Sequence, residues 1–382
     1  MRTVKFGIIG CGLMAREFVS AAARWCHLPD MTARPKVVSI CNRSLNPEKI
    51  DWYTSNVPTI TQVTQDYRDV MANPEVEAVY IALPHNMHAE TYCAAIEAGK
   101  ILMGEKPFGI DLAANEAINA CMAKHPDVLV RVFSQFLFIP AAQHIGRMIT
   151  DKVFGEIISV ESGFYHSSDL NPDKAINWKR TLEFNGEYGC MGDLGMHVCC
   201  MPFRAGWYPK NVRAVLSNIM TQRPDGKGNM VPCETWDNAT LLCETPDPDT
   251  GKNFPMTLKT FRIAPGEKNS WYFEVYGTKT CARFNTKQMN TLEILEYKGE
   301  PQAWQQIDMG QETAYESISG GIFEFSFSDT ILQAWAAFLY EIENGKPTTP
   351  YAQCVTPEEV AYSHRLFTAA LESQKNNTVE SV

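Results

Sequence analysis

The sequence contains no hydrophobic run long enough to cross a membrane, no run of basic residues and no C-x-x-C pair of cysteines. A membrane-spanning helix needs about 18 or more consecutive apolar residues, so the first absence predicts a protein without such a helix. Nucleic acids and anionic membranes attract clustered lysine and arginine, but this chain has 34 basic against 44 acidic residues, a formal net charge of −10. We therefore expect small molecules as binding partners, with no nucleic acid and no membrane.

The twelve cysteines are scattered along the chain and show neither zinc-ligand nor disulfide-framework spacing. The first residues pass directly into a strand pattern, which leaves no room for a secretion signal. These features predict reduced thiols and a cytoplasmic protein. The sequence also has no internal repeat and no low-complexity segment.

The first 130 residues alternate between short β-rich runs and helical patterns. At 382 residues, with 45% hydrophobic and 20% charged residues, the chain has the length and composition of a two-domain globular protein. Alternating strands and helices predict a doubly wound parallel sheet of the Rossmann type. The predicted strands are 4–9, 36–41, 78–83, 101–103 and 128–132, and the main predicted helices are 13–24, 67–72, 88–98 and 112–124.

The pattern changes after Pro140 and one further helix, 141–150. A series of β-rich runs separated by turn residues predicts a second, α+β domain with a large, mostly antiparallel, open sheet. We divide the chain into 1–132 and 133–382, with the C-terminal helices within 329–374 covering the second sheet or packing back on the first domain. The predicted strands are 157–164, 212–219, 239–244, 256–263, 272–276, 282–285 and 292–297.

A G-x-G-x-x-A pattern, residues 10–15, lies between the first strand and the first helix. Gly10 permits a tight turn, Gly12 lets the backbone approach a pyrophosphate, and Leu13 and Met14 begin the helix whose N-terminus faces the anion. The alternative is a glycine turn without a ligand. The position after the first strand favours dinucleotide binding.

Asn42, Arg43 and Ser44 follow the second strand, at the point where an NAD site usually places an acidic residue for the ribose hydroxyls. Without a carboxylate, Arg43 can pair with a 2′-phosphate while Asn42 and Ser44 act as neutral donors. The sequence therefore favours NADP(H). In the alternative, Arg43 is a solvated surface cation and NAD(H) binds through Asn42.

Three further segments accompany the glycine pattern: residues 83–88 (LPHNMH), 104–107 (GEKP) and 189–197 (GCMGDLGMH). In this order and spacing, from Val4 to about Phe367, they resemble the family of glucose–fructose oxidoreductase, inositol dehydrogenase and the rhizopine-catabolism proteins (Gfo/Idh/MocA). The resemblance implies a nicotinamide-dependent dehydrogenase with substrate against the second-domain sheet. It implies catalytic roles for Lys106, Asp193 and His197, and cofactor contacts from Leu83, Pro84, His85, His88, Glu105 and Lys106.

Two departures from the family pattern affect the expected contacts. Leu83 and His85 replace the usual threonine and asparagine, which removes polar groups near the cofactor. Cys190 and Met191 lie in the stretch before Asp193, which is richer in glycine in the family pattern, and this difference alters the substrate pocket.

The residues of the last segment also suit this chemistry on their own. Asp193 and His197 are spaced i, i+4, so both side chains project from one face of a helix. Oxidation of a secondary alcohol needs a base for the hydroxyl proton, for which His197 is suited, and Lys106 can share that proton or stabilise an alkoxide. A structural pair is the alternative for Asp193 and His197. We predict no metal site. His166 could join Asp193 and His197 as a third ligand, but its spacing in the sequence does not fix it beside them.

Trp178, Lys179 and Arg180 form an aromatic and cationic segment that resembles the sugar-contacting stretch of relatives. An aromatic face beside hydrogen-bond donors suits a polyol. A domain-interface anchor is the alternative. We assign substrate contacts to this segment together with Lys106, Asp193 and His197.

These features predict an NAD(P)-dependent dehydrogenase acting on a secondary hydroxyl, or the corresponding ketone, of a sugar, glycoside or cyclitol. One alternative is an NAD-dependent enzyme that cleaves glycosides through transient oxidation and elimination. A second is a non-catalytic dinucleotide-binding sensor, which the retention of Lys106, Asp193 and His197 disfavours. Relatives associate through the open sheet of the second domain, so we expect a homo-oligomer, a dimer or a tetramer.

Overall fold

A six-stranded, fully parallel sheet forms the N-terminal half of the computed structural model, which describes residues 1–310, 312–320 and 322–382. Its strand order is β3-β2-β1-β4-β5-β6, and the order reverses between β1 and β4. Buried apolar residues such as Phe6, Ile8 and Tyr80 fill the strands, as a sheet covered on both faces requires. The elements are β1 (Arg2–Ile9), α1 (Leu13–Ala23), β2 (Ala33–Cys41), α2 (Pro47–Asn56), β3 (Gln62–Thr64), α3 (Tyr67–Ala72), β4 (Ala78–Ile81), α4 (His88–Glu97), β5 (Ile101–Gly104), α5 (Leu112–Lys124) and β6 (Val130–Val132).

A nine-stranded mixed sheet forms the second half, with the order β16-β15-β14-β13-β7-β12-β11-β8-β17. All of its pairs are antiparallel except β7 with β12, which run parallel. The elements from residue 140 to the end of the chain are α6 (Pro140–Thr150), β7 (Ile157–Tyr165), α7 (Leu182–Asn185), α8 (Met196–Arg204), β8 (Asn211–Ser217), β9 (Gln222–Pro224), β10 (Met230–Pro232), β11 (Asn238–Pro246), β12 (Asn253–Phe261), β13 (Ser270–Gly277), β14 (Thr280–Asn285), β15 (Thr291–Glu296), β16 (Gln305–Asp308), α9 (Phe327–Asn344), α10 (Pro357–Asn376) and β17 (Glu380–Ser381). Strands β9 and β10 pair separately as a short hairpin.

Helix α9 belongs to the first half although it lies late in the sequence. It begins with a capping box in which Ser326 and Asp329 satisfy each other's backbone amides. Its Trp335 ring stacks on Phe18 of α1, with centroids 3.8 Å apart, and meets Phe6 edge-on at 5.8 Å. Packing of this aromatic cluster ties residues 327–344 to the Rossmann sheet.

Contacts divide the chain into two compact units, of which the first comprises 1–109, 113–138 and 313–357 and the second 110–112, 139–312 and 358–382. This grouping differs from the division at residue 132, because the segment carrying α9 returns to the first unit. Within the described residues, no helix is both long enough and apolar enough to cross a bilayer.

The predicted fold class is confirmed, and the differences concern short elements. The sequence patterns did not predict α2, β3, α7, the β9–β10 hairpin, β16 or β17, and β6 begins at Val130 rather than at 128. Helix α2 carried a readable signal, since Asn46 accepts a capping hydrogen bond from the Glu48 amide and Pro47 occupies the first turn. Three-residue strands such as β3 offer too few positions for a period to be read.

Candidate active site

The glycine turn lies at the point where the strand order reverses, since β1 and β4 are neighbours and their carboxyl ends lead into Gly10 and Ala82. Ligands of open parallel sheets bind at this kind of position. The two loops are joined to the strands beside them: the Gly10 amide donates to Cys41 O at 2.9 Å, and the Ala82 amide donates to Ile9 O at 2.9 Å. The glycine turn therefore lies where a parallel sheet of this order would bind a dinucleotide.

Gly10 and Gly12 play different parts in this loop. Gly10 has φ +95°, and a Cβ there would lie 2.3 Å from Ala82 O, so the turn itself requires glycine. Gly12 caps α1 and a Cβ there would meet no atom of the chain within 4 Å. Space therefore lies open at the N-terminus of α1, beside the exposed Leu13 and half-buried Met14. This space fits a pyrophosphate on the helix N-terminus.

The segment after β2 combines a braced asparagine with an exposed arginine. Asn42 Oδ1 accepts from the Cys11 amide at 3.3 Å, and Asn42 Nδ2 donates to Ser44 O at 2.5 Å. Arg43 and Ser44 are exposed. Burial raises the pKa of the neighbouring Cys11 thiol to about 12, so this cysteine stays protonated in the loop. Asn42 holds the loop, and Arg43 is the exposed cation beside it.

His88 joins two loops of the predicted cofactor site. Its ring is buried, with Nδ1 2.7 Å from Pro107 O and Nε2 2.9 Å from Leu83 O, and it stacks on Tyr92. Burial lowers the pKa of His88 to about 4. His88 is therefore neutral, so its single ring N–H donates to one of these two carbonyls, and His85 beside it is also buried.

Glu105 and Lys106 differ in exposure. Glu105 is buried, and its carboxylate accepts a hydrogen bond from Tyr80 Oη at 2.6 Å. The Glu105 carbonyl accepts from Tyr92 Oη, also at 2.6 Å. Lys106 is half-buried. The structure thus makes Glu105 a support for the loop that presents Lys106.

Asp193 lies in a π-helical turn, Met191–Gly195, and His197 lies in the first turn of α8, which follows directly. The spacing had predicted a regular α-helix through both residues. Gly195 packs so closely against Phe367 that a Cβ would lie 2.4 Å from the ring. π turns occur frequently at functional sites. His197 is buried, meets Phe164 edge-on at 5.5 Å, and accepts a hydrogen bond at its carbonyl from Trp271 Nε1 at 3.1 Å.

Two cations bracket the Asp193 carboxylate. Lys179 Nζ lies 3.0 Å from both Oδ1 and Oδ2, and Arg262 Nη2 lies 3.0 Å from Oδ2. Because Asp193 is almost fully buried, these contacts replace the water that a carboxylate would otherwise bind. They fix the orientation of Asp193 and stabilise its negative charge.

A cavity of about 260 Å³ opens beside this group, entirely within the second unit. Of the residues predicted to contact substrate, it brings together Trp178, Lys179 and Asp193. The remaining lining residues are His166, Ser168, Asp169, Lys174, Asn177, Leu194 and Arg262.

Arg180 does not line this cavity. Its side chain is 0% exposed, lies 2.5 Å from Asp237 Oδ1 and donates to Met220 O at 3.1 Å. A guanidinium removed from water in this way is held by its ion pair. We therefore correct the assignment of Arg180 from substrate contact to structural residue.

Sequence analysis missed Arg262, Asp169 and Lys174. His166 and Arg262 directly follow the parallel strands β7 and β12, whose last residues are register partners, so both arrive at one edge of the sheet. The available signal was a charged residue directly after an apolar strand. This signal could not be interpreted from the sequence, because β7 and β12 lie about 95 residues apart in the chain and no local pattern shows that they pair in parallel.

Asp169 is a further buried carboxylate of the cavity. Burial acts to raise its pKa, but the hydrogen bond from Lys174 and the nearby arginines outweigh burial and lower the pKa overall. Lys174 Nζ lies 2.9 Å from Asp169 Oδ1. In the described part of the chain, no group of three or more His, Cys, Asp and Glu side chains is placed to hold a metal ion.

Comparison with known proteins identifies both halves of the chain. Residues 4–133 match the model described as "Oxidoreductase family, NAD-binding Rossmann fold", and residues 142–283 match the GFO/IDH/MocA C-terminal domain. Levoglucosan dehydrogenase of Pseudarthrobacter phenanthrenivorans is 25% identical over 312 residues, which cover 77% of this chain and 76% of that protein.

A second relative and a solved structure agree with this result. Trans-1,2-dihydrobenzene-1,2-diol dehydrogenase of Sus scrofa is 23% identical over 217 residues, covering 56% of this chain and 59% of that protein. A structure of levoglucosan dehydrogenase with NADH and levoglucosan superposes with a TM-score of 0.86 at 22% identity, covering 100% of both chains. At this identity the superposition establishes the fold.

Proposed function

The chain belongs to the GFO/IDH/MocA family of NAD-binding oxidoreductases, and on this basis we propose that it is a dehydrogenase of a secondary hydroxyl in a sugar, glycoside or cyclitol. The observation that carries the proposal is the polar cavity beside Asp193, which combines the Trp178 ring with charged hydrogen-bonding groups. Its volume of about 260 Å³ lies just below the 300–1,000 Å³ of pockets for drug-sized ligands, as suits a small polar substrate. Levoglucosan dehydrogenase, a relative over three quarters of its length, acts on such a molecule by its name.

The residues of the first unit fit a nicotinamide dinucleotide. The open space at Gly12 would take the pyrophosphate at the N-terminus of α1, and Asn42, Arg43 and Ser44 would surround the adenosine ribose. Leu83, Pro84 and His85 lie on the loop after β4, at the same edge of the sheet. When bound, the cofactor supplies the acceptor for the hydride that leaves the substrate carbon.

The chain's own residues would handle the proton and the charge. As the C–H bond gives up its hydride, the hydroxyl proton must leave the oxygen and a carbonyl forms. We assign the proton to His197, with Lys106 stabilising the alkoxide that develops. Asp193, fixed by Lys179 and Arg262, would hold a substrate hydroxyl by accepting its hydrogen bond.

For cofactor choice we propose NADP(H). Arg43 is exposed, and within the described residues its guanidinium makes no hydrogen bond or ion pair, so it is available to a 2′-phosphate. Arg43→Ala should then weaken NADP binding by about 1.5–3 kcal/mol, the worth of a charge-assisted contact, and leave NAD binding nearly unchanged. Titration of the unaltered protein and of Arg43→Ala with NAD and with NADP measures these affinities. Tighter binding of NAD than of NADP by the unaltered protein would contradict the NADP(H) proposal.

We further propose a cytoplasmic homo-oligomer, a dimer or a tetramer. Val215 of β8 and Leu242 of β11 lie on neighbouring strands of the nine-stranded sheet and are each more than half exposed, and a second copy would cover them. Light scattering during size-exclusion chromatography gives the mass of the assembly in solution. A monomer at micromolar concentration would contradict this part of the proposal.

A panel of sugars, glycosides and cyclitols, followed through nicotinamide absorbance, tests the dehydrogenase function. We expect reduction of cofactor with at least one class, and a loss of at least ~10² in kcat for Lys106→Met and for His197→Ala with cofactor affinity retained. Arg283→Gln, which alters a residue of β14 outside the cavity, is the control. Release of free sugar without accumulation of reduced cofactor would instead indicate glycoside cleavage through transient oxidation.

A further inference from the structure

We propose that the cavity beside Asp193 contains an anion subsite centred on Arg262, and that the substrate carries a carboxylate as well as the hydroxyl that is oxidised. The inference rests on the proposed dehydrogenase function and adds a substrate class to it: acidic sugars and related polyhydroxy acids.

The first support is the charge of the cavity lining. Lys174, Lys179 and Arg262 contribute three positive charges, against two negative charges from Asp169 and Asp193. An excess of positive charge in the lining of a cavity favours an anionic ligand.

The second support is the state of the Arg262 side chain, which is almost fully buried yet lines the cavity. Its Nε and Nη2 atoms have no hydrogen-bond acceptor among the described residues. Nη2 lies at ion-pair distance from Asp193 Oδ2, but this contact does not satisfy its hydrogen-bonding direction. Buried polar groups of native proteins nearly always have a partner, so the Nε and Nη2 edge of the guanidinium has room for an acceptor from a ligand or from water.

The geometry of the Nε and Nη2 edge of the Arg262 guanidinium favours a carboxylate. Nε and Nη2 donate side by side, an arrangement that the two oxygens of a carboxylate match with two parallel hydrogen bonds. A single hydroxyl can satisfy only one of the two donors and brings no charge. A carboxylate at this position satisfies both donors and neutralises the excess charge.

The surrounding chain holds the subsite in place. The Arg262 amide donates to Asp237 O at 2.9 Å and to Asn238 Oδ1 at 3.1 Å, which fixes the backbone at the end of β12. The buried Arg223 guanidinium donates to Asn171 O at 2.8 Å and to Lys174 O at 3.2 Å. The loop that carries Asp169 and Lys174 is thereby ordered before a ligand arrives, which lowers the entropy cost of binding.

Matched substrate pairs that differ only in the acid group test the proposal: D-glucuronate with D-glucose, D-galacturonate with D-galactose, and D-gluconate with D-glucitol. We expect the acid of the accepted pair to have a kcat/KM at least about tenfold above its neutral partner. Arg262→Gln should bring this ratio to within about threefold of one, and Arg283→Gln should leave it unchanged. A neutral partner used as well as the acid by the unaltered protein would overturn the proposal.

A binding measurement separates this inference from the proposed function. Thermal unfolding with each of the six compounds, and with glucose 6-phosphate, reports binding without turnover. If no compound is oxidised but acids alone stabilise the protein, and Arg262→Gln abolishes that stabilisation, the subsite stands and the proposed function fails. If acids stabilise the protein no more than neutral partners, or if the phosphate stabilises it more than any acid, the carboxylate subsite is wrong whatever the activity.

Discussion

Lys179 places its ammonium group 3.0 Å from both carboxylate oxygens of Asp193. Lys179 belongs to the segment after Asn177, whose side chain accepts from the Lys179 amide at 2.9 Å, so the lysine backbone is fixed as well. A carboxylate held on both oxygens can accept hydrogen bonds from a substrate without changing its orientation. We therefore regard Lys179 as a positioning residue for Asp193 as well as a candidate substrate contact.

Replacing Lys179 should reduce turnover through Asp193. We expect Lys179→Met to lower kcat/KM by roughly 10- to 100-fold, the worth of a charge-assisted hydrogen bond. The double variant with Asp193→Asn should be little worse than the poorer single variant, because the two residues act as a unit. Lys259→Met is the matched control, since Lys259 pairs with Glu161 outside the cavity. Effects that multiply in the double variant would show that Lys179 acts independently of Asp193.

The two glycines of the dinucleotide loop allow folding and binding to be separated. Gly12→Val should lower the free energy of unfolding by only about 1 kcal/mol, the cost of losing a favourable N-cap, because a Cβ at Gly12 meets no atom of the chain within 4 Å, and it should abolish measurable cofactor binding. Gly10→Val should instead destabilise the protein, since φ is +95° and Ala82 O lies in the way. Thermal unfolding and cofactor titration of both variants measure the difference. A folded Gly12→Val protein with undiminished affinity would place the pyrophosphate elsewhere.

The sequence predicted the position of an element correctly where that position depends on neighbours along the chain. The glycine turn between β1 and α1 is a local feature, and the structure places it at the reversal of strand order. Arg262 and Arg180 show the limit. Arg262 reaches the cavity only because β12 pairs in parallel with the distant β7, and Arg180 is withdrawn from it only because Asp237, 57 positions later, is buried beside it. Both outcomes depend on tertiary pairing that no local pattern encodes.

His88 should make the stability of the protein depend on pH. Burial lowers its pKa from 6.5 to about 4, so between these values the unfolded chain binds a proton that the folded chain does not. Stability should therefore fall as pH falls from 6.5 to 4, by about 3 kcal/mol from this residue.

His88→Gln removes the group that binds this proton. The free energy of unfolding of the variant should therefore depend less on pH between 4 and 6.5, although the variant is less stable at pH 7. Urea unfolding of both proteins at several pH values gives the two slopes. Equal slopes would show that His88 titrates alike in the folded and unfolded chains.

The buried pair of Arg180 and Asp237 gives a test of the corrected assignment. Both side chains are 0% exposed, so Arg180→Met leaves Asp237 as a buried charge without its cation. Loss of one partner of such a pair costs about 3–5 kcal/mol, which should lower the melting temperature by roughly 10 °C. Asp237 Oδ2 also accepts from the Ile219 and Met220 amides, at 2.6 and 2.8 Å, so Asp237→Asn in the Arg180→Met background should recover part of the loss by removing the charge while keeping an acceptor.

Kinetics on the same variants separate a structural role from substrate contact. At a temperature where Arg180→Met is fully folded, KM for the accepted substrate should lie within about twofold of the unaltered protein, since Arg180 does not line the cavity. Lys179→Met, one residue earlier in the chain, serves as the contrast. If Arg180→Met has an unchanged melting temperature and a tenfold higher KM, the structural role is wrong. Arg180 would then contact the substrate, and the cavity would have to extend toward Asp237.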